Sequence, residues 1–224
     1  MAFLFIQFWR GNVLTFFRPY GVCAVLVNAC LLTAPPGWAA QVNILAIGDS
    51  LTAGYGLAQS DSFPAQLQAA LRAVNEDVRV TNSGVSGDTS AGGHARLGWA
   101  LSLKPDAVII ELGANDGLRG LDPAQTEANL NQMISNIQKQ GLPILLTGML
   151  APPNLGQEYG TDFNSLFPRL AKKHGVLFYP FFLEGVVAIP VLNQTDGIHP
   201  NAAGVREIVI RILPLVRELI GQVR

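Results

Sequence analysis

Among the three histidines of the chain, His199 has a spacing to a carboxylate that suits catalysis. Asp196 precedes it by three residues in a short, glycine-containing turn. Such a turn lets the acid bond one imidazole nitrogen while the other nitrogen faces outward as a base. His94 and His174 are predicted to be structural, with His174 at a helix C-terminus. The pair therefore predicts general acid–base chemistry at His199, and a turn histidine packed on the next helix is the alternative.

A base of this kind needs a nucleophile, and Ser50 is the leading candidate. It follows a predicted strand through Gly48 and Asp49, which places its hydroxyl at the carboxyl end of that strand. A helix-capping serine is the alternative for Ser50, and Ser86 is a rival nucleophile. Neither serine completes the G-x-S-x-G nucleophile elbow, so the usual α/β-hydrolase arrangement is not expected.

Acyl transfer also requires hydrogen-bond donors for the oxyanion that develops on the substrate. The candidates are the backbone N–H groups of Ser50 and Gly87 and the side-chain amide of Asn115. A turn glycine and a turn asparagine are the alternatives. Three acidic residues beside these positions are predicted to bond nearby backbone and not to react: Asp49, Asp88 and Asp116.

Short apolar runs alternate with amphipathic stretches along the chain. The runs predict buried parallel strands at 42–47, 78–81, 107–112, 144–147 and 176–178. The clearest helix is predicted to start after Asp122, with Pro123 in its first turn, and to end at Gly141. The last helix is predicted to kink or split at Pro214. This alternation predicts one three-layer α/β domain over residues 41–224, with ligands at the carboxyl ends of the strands.

The N-terminal region differs from the rest of the chain. Residues 1–39 contain Arg10 and Arg18 but no acidic residue or lysine, and an apolar run occupies 21–33. Small residues follow up to Ala39. This order is typical of a signal peptide, so cleavage after Ala39 and a periplasmic or secreted location, in a Gram-negative bacterium, are predicted.

Two other interpretations of residues 1–39 are left open: an uncleaved membrane anchor, and lipid attachment at Cys30. Cleavage would remove Cys23 and Cys30, the only cysteines, which excludes disulfides and thiolate sites from the mature protein. It would also leave 13 basic against 16 acidic residues, a formal net charge of −3. Nucleic acid is not an expected partner of such a chain, and the scattered histidines predict no metal site.

Four blocks of the sequence, in order, resemble the GDSL, or SGNH, hydrolases. Gly48-Asp49-Ser50-Leu51 resembles the first block of that family. Gly87, Asn115 and the Asp196–His199 pair match the later blocks in order and rough spacing. Segments 86–90, 115–120 and 196–201 resemble the bacterial periplasmic thioesterase I/lysophospholipases and arylesterases.

The resemblance implies a fold and a role for each residue. It implies a flavodoxin-like α/β/α sandwich around a five-stranded parallel sheet, without metal or cofactor. Ser50 would be the nucleophile, His199 the base and Asp196 its orienting acid. The oxyanion hole would comprise Ser50, Gly87 and Asn115.

The resulting expectation is a secreted, monomeric serine esterase that works through an acyl-enzyme and keeps no stable membrane anchor. Aryl, short-acyl and lysophospholipid esters and acyl thioesters are the expected small-molecule substrates. A carbohydrate acetylesterase and a non-catalytic lipid- or glycan-binding module are the alternatives. Five residues are predicted to line an acyl pocket, with ordinary loop packing as the alternative: Met149, Leu150, Pro152, Leu155 and Ile198.

Overall fold

Five parallel strands form one sheet in the order β2-β1-β3-β4-β5. They are β1 (Val42–Gly48), β2 (Val78–Gly84), β3 (Ala107–Glu111), β4 (Ile144–Thr147) and β5 (Leu177–Tyr179). The computed structural model describes residues 40–224. The predicted signal peptide at 1–39, with Cys30, lies outside the described residues. Within 40–224, no helix has the length and apolar character needed to cross a membrane.

The central strands are buried because helices cover both faces of the sheet. Every residue of β3 is buried, and so is every residue of β1 except Asn43. The register pairs Gly48 with both Gly84 and Glu111, so three strands end at the same edge. Strand β2 is an edge strand that alternates in burial, and its pairing with β1 continues past the predicted end at residue 81. The aligned carboxyl ends are where the predicted site residues follow.

Seven α-helices surround the sheet within the described range. They are α1 (Ser50–Ala53), α2 (Phe63–Ala73), α3 (Ser90–Leu101), α4 (Ala114–Leu118), α5 (Pro123–Gln138), α6 (Gln157–His174) and α7 (Ala202–Gly221). Helices α2 and α7 pack together, and α5 packs between α3 and α6. The architecture is thus a three-layer α/β sandwich with a five-stranded parallel sheet, as predicted.

Helix α5 begins as the sequence predicts, because the Asp122 side chain accepts a hydrogen bond from the N–H of Ala124 at 2.9 Å. The helix ends a few residues before Gly141, which adopts the left-handed conformation at φ +74°. Of the predicted kink or split at Pro214, the split is wrong, since α7 continues through Pro214 to Gly221. Pro214 leaves only the carbonyl of Ile210 without a helical donor, and Ile210 is exposed, so water can reach that carbonyl.

Aromatic packing fixes the short helix α4 that carries Asn115. A Cβ on Gly113 would lie 2.9 Å from the Phe167 ring, and one on Gly117 would lie 3.2 Å from the Phe163 ring. Both phenyl rings are fully buried and meet edge to face with centroids 5.6 Å apart. These glycines therefore let α4 sit directly on the core, which sets the position of Asn115.

Candidate active site

Three predicted residues from opposite ends of the chain meet in space. Ser50 Oγ lies 2.9 Å from His199 Nε2, although 149 residues separate them in sequence. His199 Nδ1 lies 2.7 Å from Asp196 Oδ2. The imidazole thus sits between a hydroxyl and a carboxylate in a hydrogen-bonded series, the arrangement that activates serine nucleophiles.

Ser50 is the first residue of α1, immediately beyond the end of β1. Asp49 caps this helix by accepting a hydrogen bond from Leu51 N at 3.0 Å. A Cβ on Gly84 would overlap the backbone of Ala53, so the end of β2 lies directly against α1. The absence of a side chain at Gly84 thus allows β2 to hold α1 in place.

The carboxylate of Asp196 fixes both the turn and the ring of His199. Its Oδ1 accepts hydrogen bonds from the backbone N–H groups of Ile198 at 2.9 Å and His199 at 3.0 Å. Its Oδ2 accepts from the imidazole. Hydrogen bonds from the His199 backbone and side chain lower the pKa of Asp196 to about 2. The acid is therefore ionised at neutral pH and suited to stabilise an imidazolium.

Two residues that sequence reasoning missed join the histidine turn to the serine segment. Gln194 Nε2 donates to the carbonyl of Tyr55 at 2.7 Å and to that of Pro200 at 3.0 Å. The Tyr55 ring packs against the His199 ring with centroids 4.7 Å apart. The Gln194–Tyr55 hydrogen bond and the Tyr55–His199 ring contact each join residues about 140 positions apart. No local sequence pattern therefore predicts either contact.

The predicted backbone donors are free to bind a ligand. Among the hydrogen bonds of residues 40–224, none uses the N–H of Ser50 or Gly87. Gly87 is exposed and adopts φ +83°. A Cβ there would meet only Arg119 Nη2, at 3.8 Å. The backbone conformation, and not a lack of space, therefore favours glycine at this position.

Asn115 is held in place by two other predicted segments. Its Nδ2 donates to the carbonyl of Asp88 at 2.9 Å and to Asp49 Oδ2 at 3.2 Å. Asp88 follows Gly87, and Asp49 precedes Ser50. The side-chain amide of Asn115 thus lies between the segments that carry the two free N–H groups.

The acids beside the site connect loops that are distant in sequence. Asp116 accepts hydrogen bonds from the N–H and hydroxyl of Ser90 and from the hydroxyl of Thr126. Asp88 forms an ion pair with Arg96. Asp49 bonds the backbone two residues away, as predicted. The side chains of Asp88 and Asp116 instead bond residues 8 to 26 positions away in the sequence.

A second buried carboxyl group lies behind Asp49. Glu111, at the end of β3, accepts through Oε2 from the hydroxyl of Thr52 at 2.7 Å and from Asp49 N at 3.3 Å. Its Oε1 is buried and has no hydrogen-bond partner among the described residues. Burial raises the pKa of Asp49 to about 6. Burial, together with the charge of Asp49, raises the pKa of Glu111 well above its usual range.

These shifts predict that Asp49→Asn weakens the pH dependence of stability. The folded protein binds protons more tightly than the unfolded chain, so the free energy of unfolding falls as pH rises from about 4 through 6. A shift of the Asp49 pKa from 3.8 to about 6 corresponds to about 3 kcal/mol. Urea unfolding at pH 4.5 and 7.5 measures the difference. Exposed Asp162→Asn is the matched control, and equal pH dependences in the two variants would contradict the prediction.

An apolar cavity of about 440 Å³ opens at Ser50 and His199. Four of the five predicted pocket residues line it: Met149, Leu150, Pro152 and Ile198. Leu155 does not, because the short 3-10 helix Pro153–Leu155 turns its side chain towards Gly120. The remaining apolar lining residues were not predicted: Leu51, Ala114, Leu118, Ala151, Pro153, Phe181, Leu183 and Val187.

The rival residues lie apart from this arrangement. Ser86 is exposed and makes no hydrogen bond to a histidine in the described range. His174 is the last residue of α6, as its sequence context predicts, and its ring bonds Gln138 and Asn131. His94 lies within α3. Among residues 40–224, no three histidine, cysteine or acidic side chains are grouped as metal ligands.

The sequence of the chain matches a known family. The sequence model of the GDSL-like lipase/acylhydrolase family matches residues 46–207. The chain belongs to this family and is a serine hydrolase that acts on ester bonds. Esterase TesA of Pseudomonas aeruginosa is 41% identical over 199 residues, which cover 88% of this chain and 99% of that protein.

Two further relatives are also named for activity on esters or thioesters. An arylesterase of Vibrio mimicus is 43% identical, over 72% of this chain and 82% of that protein. Thioesterase 1/protease 1/lysophospholipase L1 of Escherichia coli is 42% identical, over 73% of this chain and 77% of that protein.

Solved structures of esterases share the fold. AlinE4, an SGNH-hydrolase family esterase, is 46% identical with a TM-score of 0.69, over 80% of this chain and 97% of that one. The esterase EstA from Pseudoalteromonas, solved as inhibited by monoethylphosphonate, is 33% identical with a TM-score of 0.68, over 80% and 94% of the two chains.

Proposed function

We propose that this protein is a secreted esterase that works through an acyl-enzyme formed on Ser50. The observation that carries the proposal is the continuous series Ser50 Oγ–His199–Asp196 at the mouth of an apolar cavity. A hydroxyl aligned with a base, and an acyl-sized cavity beside it, suit the attack of serine on the carbonyl carbon of an ester.

The reaction proceeds in two halves. His199 Nε2 accepts the Ser50 proton as Oγ attacks, and the resulting imidazolium donates that proton to the departing alcohol or thiol. Water then enters and attacks the acyl carbon while His199 Nε2 takes one of its protons. The imidazolium returns that proton to Ser50 Oγ as the bond to the acyl group breaks, which releases the acid and restores the free serine. Asp196 stays ionised throughout and stabilises the imidazolium.

The oxyanion of each tetrahedral intermediate is stabilised by the N–H groups of Ser50 and Gly87 and by the Asn115 amide. The two N–H groups carry no competing bond among the described residues. Asn115 Nδ2 keeps its 2.9 Å bond to the Asp88 carbonyl, and the oxyanion takes up the hydrogen that otherwise makes the longer, 3.2 Å bond to Asp49. The two backbone N–H groups are aligned in advance and stabilise the transition state without reorganisation, whereas Asn115 exchanges one hydrogen bond.

Labelling with an organophosphonate tests the proposal. A fluorophosphonate is expected to label the protein once, at Ser50, and to abolish hydrolysis of nitrophenyl esters. Ser86→Ala is the matched control and should label like the parent, whereas Ser50→Ala should not label. A folded parent protein that stays unlabelled and inactive would instead indicate a non-catalytic binding module.

The cavity supports medium-length acyl groups as substrates, in esters, lysophospholipids or thioesters. Each methylene group buried in it contributes about 0.8 kcal/mol, or roughly fourfold in kcat/KM. Ala151 lines the cavity, so Ala151→Phe is expected to fill part of it. The ratio of kcat/KM for decanoyl to that for acetyl nitrophenyl esters should fall about 15-fold, since roughly two methylene groups lose their contacts.

The matched control for this substitution is Ala69→Phe, at an exposed position of α2. It should leave the chain-length ratio of the parent protein unchanged. An unchanged ratio in Ala151→Phe would contradict the assignment of the cavity to the acyl group.

Secretion rests on the character of residues 1–39, with basic residues, an apolar run and then small residues up to Ala39. The expected mature N-terminus is Ala40, in the periplasm or medium. N-terminal sequencing of protein recovered from those fractions tests this. An intact Met1, or a lipid-modified Cys30, would overturn the cleavage after Ala39.

A further inference from the structure

The guanidinium group of Arg96 contacts the ends of two strands and one loop beside the candidate site. Arg96, on α3, has a side chain that is 18% exposed. Its Nε pairs with Asp88 Oδ2. Its Nη1 donates to the carbonyl of Ser83 at 2.8 Å and to the Ser83 hydroxyl at 3.0 Å, and its Nη2 donates to the carbonyl of Gly48 at 2.9 Å.

Each acceptor lies within four residues of a donor assigned to the oxyanion. Gly48 ends β1, two residues before Ser50. Ser83 lies near the end of β2, in the strand that leads to Gly87. Asp88 follows Gly87, and its carbonyl accepts the hydrogen bond from Asn115. The spacing of all three oxyanion donors thus depends on atoms that Arg96 holds.

Packing on two sides holds the Asp88 carboxylate in one position. A Cβ on Gly92, in the first turn of α3, would overlap Asp88 Oδ1. The carboxylate therefore sits against the helix backbone on one side and the guanidinium on the other. Charge-assisted hydrogen bonds of this kind are shorter and stronger than neutral ones, and a planar guanidinium spans acceptors that a lysine ammonium cannot.

We propose that Arg96 is a positioning residue that sets the geometry of the oxyanion hole by tying Gly48, Ser83 and Asp88 together. The proposal rests on the proposed function, because it assumes that Ser50, Gly87 and Asn115 stabilise an oxyanion. Arg96 itself does not contact substrate. Its effect should fall on the transition state, since a misplacement of about 1 Å costs roughly 10²-fold in rate.

The test compares Arg96→Ala, Arg96→Lys and the control Arg206→Ala, which replaces an exposed arginine on α7. With a soluble nitrophenyl ester, Arg96→Ala is expected to lower kcat about 10- to 100-fold while KM changes less than about threefold. Fluorophosphonate labelling of Ser50 should slow by a similar factor. Arg96→Lys should recover little of the loss.

Chemical rescue separates positioning from a merely structural role. Guanidinium ions at millimolar concentration should restore turnover of Arg96→Ala saturably and leave Arg96→Lys and Arg206→Ala unchanged. If Arg96→Ala does not fold, the decrease of kcat at constant KM in Arg96→Lys decides the question. An unchanged kcat in the folded variants would overturn the proposal. So would a decrease in kcat that guanidinium does not restore and that equals the fraction of unfolded protein.

Measurements on the parent protein separate failure of the Arg96 positioning role from failure of the proposed esterase activity. Labelling and turnover in the parent with no effect of Arg96 substitution reject the positioning role alone. A folded parent that neither labels nor turns over rejects the proposed function, and the positioning role with it.

Discussion

Ser50→Ala is expected to lower kcat/KM for ester hydrolysis by about 10⁴- to 10⁶-fold, the largest effect of any single substitution in this protein. The hydroxyl that lies 2.9 Å from His199 Nε2 is the atom that would form the acyl-enzyme, and alanine offers no substitute. Steady-state hydrolysis of a nitrophenyl ester measures the loss. Circular dichroism should show an unchanged fold, because Ser50 is only partly buried at the cavity.

Two further variants, His199→Ala and Ser86→Ala, test whether the loss of activity is specific to Ser50 as the nucleophile. His199→Ala should cost nearly as much as Ser50→Ala, and the double variant little more, because nucleophile and base act as one unit. Ser86→Ala should stay within about twofold of the parent, since Ser86 is exposed and bonds no histidine in the described range. Substantial turnover in Ser50→Ala, or a large loss in Ser86→Ala, would move the nucleophile elsewhere.

Outside the Ser50–His199 pair, Asn115→Ala should have the largest effect, a decrease in kcat of about 10²- to 10³-fold. The substitution removes the proposed side-chain donor of the oxyanion, together with its hydrogen bonds to the Asp88 carbonyl and the Asp49 carboxylate. Because an oxyanion exists only in the transition state and the intermediates, KM should change little. The measurement is kcat and KM for a short-chain nitrophenyl ester.

Exposed Asn154→Ala, in the short 3-10 helix Pro153–Leu155 that follows β4, is the matched control and should behave like the parent. A rise in KM at constant kcat for Asn115→Ala would show that Asn115 binds the ground state equally well. In that case the oxyanion hole would contain the two backbone N–H groups alone.

The elements of the fold could be predicted from local patterns. Continuous apolar runs at 44–47 and 107–110 form buried strands because both sheet faces are covered. Asp122 caps α5 through a hydrogen bond to a residue two positions away. The split at Pro214 was predicted wrongly, because tertiary packing of the apolar face of α7 outweighs the loss of one helical hydrogen bond.

Within the candidate site, the sequence by itself determined the local pair. Asp196 and His199 are three residues apart in one turn, so their bond follows from spacing. The meeting of His199 with Ser50 was decided only by the tertiary structure. Parallel pairing aligned the carboxyl ends of the strands, and Gln194 tied the histidine turn to the serine segment.

The supporting contacts depended on the tertiary structure entirely. Glu111 was predicted simply as part of a strand, and Arg96 drew no prediction, yet both bond groups beside Ser50. Leu155 was expected in the cavity and faces Gly120 instead. Sequence spacing specifies which residues share a turn, a strand or a helix face, but hydrogen bonds between loops 13 to 149 residues apart form only once the sheet brings those loops to one edge.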